Sequence, residues 1–185
     1  PFNAIGSAGS DNMMRYDNST LADGVSIAVS YVPSGGTGEV ESSMDMGIEY
    51  TGFEGVTLGY ARGEDNALGG ASNTDNSTMY AKYVFGSVTV GYQRSEIDGT
   101  VATSDEYDSM GITYAVSDSL SVGYQASTYN AGDMAADQDN TNFSLSYTMG
   151  SMTFSAAFVE EENRGGSTGS GDDVKGYEFD LGFAF

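Results

Sequence analysis

The closing stretch, Val174 to Phe185, constrains this chain more than any other. Tyr177, Phe179, Leu181, Phe183 and Phe185 fall at alternate positions, with Glu178, Asp180, Gly182 and Ala184 between them. A two-residue period puts the two sets on opposite faces of a β-strand; a helix would repeat every ~3.6 residues. One face is large and aromatic, and the other carries carboxylates and small residues. Such a strand needs an apolar medium on one side and water on the other. A soluble sheet meets that need with a core. A membrane-spanning barrel meets it with lipid outside and water inside.

The same period recurs upstream. Met14 and Tyr16 flank Arg15; Val25, Ile27, Val29 and Tyr31 alternate with Ser26, Ala28 and Ser30; Met44, Met46, Ile48 and Tyr50 alternate with Asp45, Gly47 and Glu49. Further runs centre on Leu58, Tyr83, Val90, Ile112, Val122, Leu145 and Phe154. With the closing stretch this makes about eleven strands and no amphipathic helix. In the fifth run Tyr80 and Lys82 lie between Met79, Ala81 and Tyr83, and in the sixth Gln93 follows Tyr92.

The connections between runs alternate in length. Leu21–Gly24, Thr51–Gly55, Gly86–Ser87, Val116–Ser119 and Gly150–Ser151 are short, whereas Pro33–Ser42, Gly63–Ser77, Ser95–Asp105, Asn130–Thr141 and Glu161–Asp173 are longer and polar. Short turns at one edge and long polar loops at the other are how transmembrane barrels are built. A soluble sandwich has no reason to sort its loops so strictly. Aromatics also gather toward strand ends (Tyr31, Tyr50, Tyr83, Phe85, Tyr114, Phe158), where membrane interfaces would hold them.

Composition agrees with this and closes other routes. A hydrophobic share of 39% is low for a membrane protein of helices, but alternation makes half of every barrel strand polar. No window approaches the ~18 consecutive apolar residues of a transmembrane helix. There is no Cys for a disulfide or thiolate and no His to serve as a base. Paired carboxylates such as Asp45 with Glu49, or Glu178 with Asp180, are expected by chance among 27 acidic residues, so catalysis is not expected. A net charge of −21 excludes nucleic acid as a partner and points to an acidic surface or lumen that attracts cations.

One stretch carries a family resemblance. Asp11-Asn-Met-Met-Arg-Tyr-Asp-Asn-Ser19, then a short Gly-containing turn and an alternating strand ending Tyr31-Val-Pro33, resembles the middle of a general bacterial outer-membrane porin of the alphaproteobacterial type. The likeness runs to Phe185. It implies a sixteen-stranded barrel, a homotrimer, and passive diffusion of small hydrophilic solutes. It also implies that Tyr177, Phe179, Leu181, Phe183 and Phe185 form the signal read by the assembly machinery.

A barrel of one bacterial chain holds an even number of strands. About eleven therefore means that N-terminal strands are absent or that one strand escapes the period; the resemblance implies that the eleven are the sixth to the sixteenth, and residues 1–185 a single β-barrel domain lacking the N-terminal strands and the constriction loop. The start at Pro1 instead of Met agrees with a removed leader or a longer parent chain.

Strand alternation assigns Arg15, Asp45, Glu49, Tyr80, Lys82, Gln93, Glu178 and Asp180 to the water-filled interior. There Arg15 and Lys82 either set a transverse field, as the resemblance implies, or pair with neighbouring acids. Arg62 and Arg94 enter long loops, and Lys175 lies on the lipid side near a rim. The loop acids Glu160, Glu162, Asp172 and Asp173 are candidates for weak Ca²⁺ binding, against the alternative of a solvated acidic rim; no other cofactor is expected. The expected fold is an all-β transmembrane antiparallel barrel. The expected function is an outer-membrane channel, weakly cation-preferring, in contact with outer-membrane lipid and lipopolysaccharide. The alternative is an acidic β-rich surface or adhesin protein without channel activity.

Overall fold

Alternation in sequence becomes two-facedness in space once each strand finds a neighbour. The structure, a computed structural model, describes residues 13–33, 42–66, 73–99, 104–169 and 171–184. Eleven strands form: β1 (Met14–Ala22), β2 (Val25–Val32), β3 (Ser42–Tyr50), β4 (Val56–Asn66), β5 (Thr74–Phe85), β6 (Val88–Gly99), β7 (Asp105–Ala115), β8 (Leu120–Ala131), β9 (Gln138–Met149), β10 (Met152–Glu162) and β11 (Val174–Phe183). They lie in one sheet in chain order, so β1 and β11 are the two ends of the series among the described residues. The short connections dictate that order, because a tight turn can only return the chain antiparallel beside the strand it left.

The turns at the short edge are built in two ways. At Gly24 the backbone is left-handed (φ 73°), and Gly52 of the next turn lies where a Cβ would point. Only glycine meets both demands. The turn Val116–Ser119 contains no glycine. There the Ser117 hydroxyl accepts from the backbone N–H of Ser119 (3.3 Å) and Leu120 (3.2 Å), so a side chain reinforces the backbone bonds between Val116 or Ser117 and Leu120.

Registers are continuous over most of each ladder. β10 meets β11 from Met152↔Phe183 to Glu161↔Val174, and β9 from Met152↔Met149 to Glu162↔Asp139. These registers fix the faces. Across β2 to β4 one face carries Val25, Ile27, Val29, Met46, Ile48 and Leu58, and the other Ser26, Ala28, Ser30, Asp45, Gly47, Glu49 and Gly59; across β8 to β11 one face carries Val122, Leu145, Phe154 and Phe179, and the other Ser144, Ser155 and Glu178. Among the described residues Ala61 and Ala131 are the buried hydrophobics, at 2% and 7% exposure, while Tyr177 stands 75% exposed. The large apolar side chains are thus exposed, and no core gathers them among the described residues.

The strands reach further than the apolar period alone indicates. The period predicts a first strand ending near Asp17, yet β1 continues to Ala22, through a register shift after Asn18. β6 runs to Gly99 and β7 starts at Asp105, which shortens the expected Ser95–Asp105 loop. The cause is physical: backbone ladders persist beyond the zone that demands an apolar face, so both faces become polar there. The helical element among the described residues is a single 3₁₀ turn, Arg164–Gly166, and no described helix is long and apolar enough to cross a membrane.

Two compact units contribute to the sheet: Pro1–Ala81 with Arg94–Glu106, and Lys82–Gln93 with Tyr107–Phe185. In the first, cross-strand ion pairs join Arg62 to Asp75 (3.2 Å) and Arg94 to Glu106 (3.0 Å). In the second, aromatic pairs line the apolar face: Tyr124 with Phe143 at 4.8 Å, Phe158 with Tyr177 at 5.1 Å, and Phe154 with Phe179 at 6.3 Å between ring centroids.

Candidate functional site

The polar face of β1 to β5 gathers most of the residues assigned to the interior. On β3, Asp45 and Glu49 point to this face, each opposite a glycine of β4 through the pairs Asp45↔Gly63 and Glu49↔Gly59. The register between them follows from the short Thr51–Gly55 turn. Glycine opposite an acid leaves room that the acid or a neighbour fills. Asp45 leans over Gly63, and its Oδ2 accepts from the Ser30 hydroxyl at 3.0 Å. The Tyr80 ring of β5 lies over Gly59, and its hydroxyl donates to Glu49 Oε2.

Arg15 and Asp17, two residues apart on β1, share this face. The guanidinium donates through Nε to Asp17 Oδ2 and through Nη2 to Oδ1, both at 2.8 Å. That two-pronged geometry is the strong form of an arginine–carboxylate pair. Of the two options the sequence leaves for Arg15, the structure thus realises pairing with a neighbouring acid. A concavity of about 260 Å³ opens here, lined by Arg15, Asp17, Ser26, Ser30, Asp45 and Glu49 among others. Asp45 and Glu49 are four residues apart on a strand, roughly 13 Å at ~3.3 Å per residue, too far for paired acid–base chemistry.

On the same side of β5 and β6, Thr78 bonds Ser95 hydroxyl to hydroxyl at 2.9 Å. Alternation from these two residues carries Tyr80, Lys82 and Gln93 onto that face. Lys82 is exposed and makes no ion pair among the described residues. The other Lys and Arg residues all do, including Arg164 with Glu161 at 3.5 Å and Lys175 with Glu160.

Further along the chain the polar face changes character. Gly123↔Ser144, Ser121↔Ser146 and Gln125↔Asn142 join β8 to β9 there, and Ser155↔Asp180 with Ala157↔Glu178 join β10 to β11. Hydroxyls and amides form most of this surface. The carboxylates Glu178 and Asp180 sit on β11, exposed. Tyr177, Phe179, Leu181 and Phe183 occupy the opposite face of β11, each more than half exposed (53% for Leu181). Phe185 lies outside the described residues.

The long loops after β8 and β10 are bound to each other. Gln138 donates to Glu161 Oε1 at 2.7 Å and accepts from the Gly165 N–H at 2.8 Å. Asn163 donates to the Asp137 carbonyl at 3.1 Å, and Met134 lies against buried Gly166. The rim acids have protein donors: Thr128 to Asp139 (2.6 Å), Asn130 to Asp137 (2.5 Å) and the Asn163 N–H to Asp173 (3.2 Å). No three carboxylates among the described residues come together as a metal-holding group.

Sequence reasoning missed Asp17, Ser30, Gly59 and Gln138. Asp17 was legible from its i+2 spacing to Arg15. Gly59 required the register, which the length of the Thr51–Gly55 turn supplies.

Comparison with known proteins places this arrangement. The Gram-negative porin family matches residues 2–185. Similar solved structures include an anion-selective porin from Comamonas acidovorans, with TM-score 0.71 and 14% identity over 94% of this chain and 59% of that one. A porin refined at 1.8 Å gives 0.67 and 16% over 94% and 60%. The outer-membrane expressed OmpT of Vibrio cholerae gives 0.55 and 18% over 92% and 63%. At such identities the likeness is one of fold, and the chain spans about three fifths of the length of these structures. No curated protein sequence matches it. With strands that set an apolar side against a polar one, and a family match nearly end to end, the chain belongs to the Gram-negative porins, and its fold is that of the outer-membrane β-barrel.

Proposed function

We propose that the polar face of this sheet lines a water-filled channel through which ions and small hydrophilic solutes diffuse passively, with a weak preference for cations. The division of the two faces carries this reading. Strand alternation puts Arg15, Asp45, Glu49, Tyr80, Lys82, Gln93, Glu178 and Asp180 each on the polar side of its own strand, and an ionisable side chain in a membrane wall belongs where water can hydrate it. The sign of the preference comes from the lining. Asp45, Glu49, Glu178 and Asp180 are carboxylates, Arg15 is offset by Asp17, and Lys82 supplies one further positive charge. A closely similar fold belongs to an anion-selective porin, so the fold leaves ion sign to these side chains.

The apolar face would meet outer-membrane lipid and, near the long loops, lipopolysaccharide, and the protein would assemble as a homotrimer. Tyr177, Phe179, Leu181, Phe183 and Phe185 are the residues we assign to recognition during assembly. No cofactor is assigned. Glu160 and Asp173 are engaged by Lys175 and the Asn163 N–H, and we place no calcium on them, on Glu162 or on Asp172.

The test is the reversal potential of the protein reconstituted in planar bilayers under a salt gradient. A potential of the sign set by cation flow is expected. Anion preference would overturn the assignment of sign, and absence of channels would overturn the whole reading.

A further inference from the structure

We propose that Tyr80 sets how far the channel wall protrudes at β3 to β5, because Gly59 gives its ring a seat and Glu49 holds it there. The inference rests on the reading that the polar face lines a channel. It adds a residue that governs the bore, separate from the residues that govern charge.

Three observations converge. Gly59 is buried, and a Cβ built on it would overlap the Tyr80 ring at Cε1 and Cζ. The Tyr80 hydroxyl donates to Glu49 Oε2, and Glu49 is the cross-strand partner of Gly59. The ring therefore spans from β5 across β4 to an acceptor on β3. An aromatic side chain on a polar wall would otherwise stand into the water. Here it lies along the wall, in a groove floored by Gly59, with its polar tip satisfied. Glycine opposite an aromatic on a neighbouring strand is a packing device in sheets generally. In a channel wall the same device decides how much of the lumen the ring occupies.

The mechanism separates two quantities. Glu49 contributes charge through its carboxylate and a tether through its acceptor oxygen. A glutamine in its place keeps an acceptor and loses the charge. Gly59 contributes no charge at all. An alanine there would force the ring back by roughly 1.5 Å to reach van der Waals separation, which lifts it off the wall and away from Glu49.

The experiment uses the protein in planar bilayers, with single-channel conductance, reversal potential and the permeation rate of neutral sugars of graded size. Gly59→Ala is expected to lower conductance by roughly 1.5-fold and to slow the larger sugars most. Adding Tyr80→Ala to Gly59→Ala is expected to restore both, since the displaced ring is gone. Glu49→Gln is expected to shift the reversal potential while leaving sugar permeation unchanged. Where Gly59→Ala fails to assemble, Tyr80→Ala alone decides: removing the ring is expected to raise conductance. Conductance that is unchanged or lower in Tyr80→Ala, or a Gly59→Ala loss that Tyr80→Ala does not rescue, overturns the proposal.

Failure of the underlying reading looks different. If Asp45→Asn and Glu49→Gln leave the reversal potential where it was, and the Tyr80 and Gly59 variants leave conductance where it was, the polar face does not line a channel. If the acid variants shift the potential and the Tyr80 and Gly59 variants change nothing, only the role of Tyr80 falls.

Discussion

The polar face of β3 to β5 and the polar face of β8 to β10 are made from the same alternation and differ in what they put there. The first concentrates charge: Asp45 and Glu49 are fixed by Ser30 and Tyr80 over glycines of β4. The second spreads neutral polarity: Ser121, Gly123, Ser144, Ser146 and Ser155 offer hydroxyls and backbone to water. Both satisfy the requirement that one face be wet, so the requirement alone does not tell a selective patch from a passive one. The difference lies in small residues. A glycine opposite an acid lets a neighbour fold in and hold it, whereas a serine opposite a glycine leaves an open hydroxyl.

The comparison means something only if both patches face water, and the largest expected effect tests that on the neutral side. Ser144 and Leu145 are adjacent on β9, paired with Gly123 and Val122 of β8, and so point to opposite faces. Leu145→Arg should destabilise the folded protein by about 2–4 kcal/mol, the cost of arginine near the middle of a lipid-facing strand. Ser144→Arg should leave stability nearly unchanged and alter conductance. Denaturant unfolding in lipid vesicles reads the first and planar bilayers the second. Equal destabilisation at both positions would break the division of faces on which the comparison depends.

Next in size is the contrast between the patches themselves. Asp45→Asn with Glu49→Gln should lower the cation-to-anion permeability ratio several-fold, whereas Ser144→Ala with Ser146→Ala should leave it within measurement error. Reversal potentials under a salt gradient compare the two pairs directly. A comparable shift from the serine pair would place selectivity in the wall as a whole and erase the distinction.

The cations sharpen this further. Lys82→Gln removes a positive charge that has no ion-pair partner among the described residues. Arg15→Gln removes one and leaves Asp17 without its two-pronged donor. Both should strengthen cation preference, by roughly 1.5- to 2-fold. No change in either variant would place both side chains outside the conduction path.

Much of the fold was legible because the signals were local. The period of two located the eleven strands, and the sorting of short and long connections identified a transmembrane barrel without any appeal to a core. Family membership bears out the outer-membrane barrel class and the expectation that the chain is no enzyme. Legibility fell where a contact depends on register. That Tyr80 meets Glu49 across β4 follows from pairing two strands at once, and no periodicity in one segment reveals it. The ends of the strands were misjudged for a related reason. At Gly99 and Asp105 the ladder outlasts the apolar face, so hydrophobicity stops reporting on it. The total charge reports on the wall less directly: several of the acids behind it, among them Asp137, Asp139 and Asp173, are held near the strand ends by Asn130, Thr128 and the Asn163 N–H.

The smallest expected effect separates those loop acids from the lining. Gln138 begins β9 and ties to it both the end of β10 and the turn that follows, donating to Glu161 and accepting from the Gly165 N–H. Glu161 also pairs with Arg164, in the same 3₁₀ turn as buried Gly166, on which Met134 rests. Gln138→Ala would remove these two hydrogen bonds, only partly shielded from water and each worth about 0.5–1.5 kcal/mol, along with a longer one to Asn140 Oδ1 within β9. None joins the ladder that holds β9 to β10, which continues from Glu162↔Asp139 to Met152↔Met149. The loss should therefore stay local, freeing residues 163–173 while the barrel remains intact. Limited proteolysis should then cut that loop faster in Gln138→Ala than in the parent. The heat at which the protein loses its compact migration in detergent gels should stay the same, and so should the reversal potential. A shifted reversal potential would mean that the rim acids act on permeating ions after all. The contrast between the seated acids of β3 and the open hydroxyls of β9 would then account for only part of the selectivity.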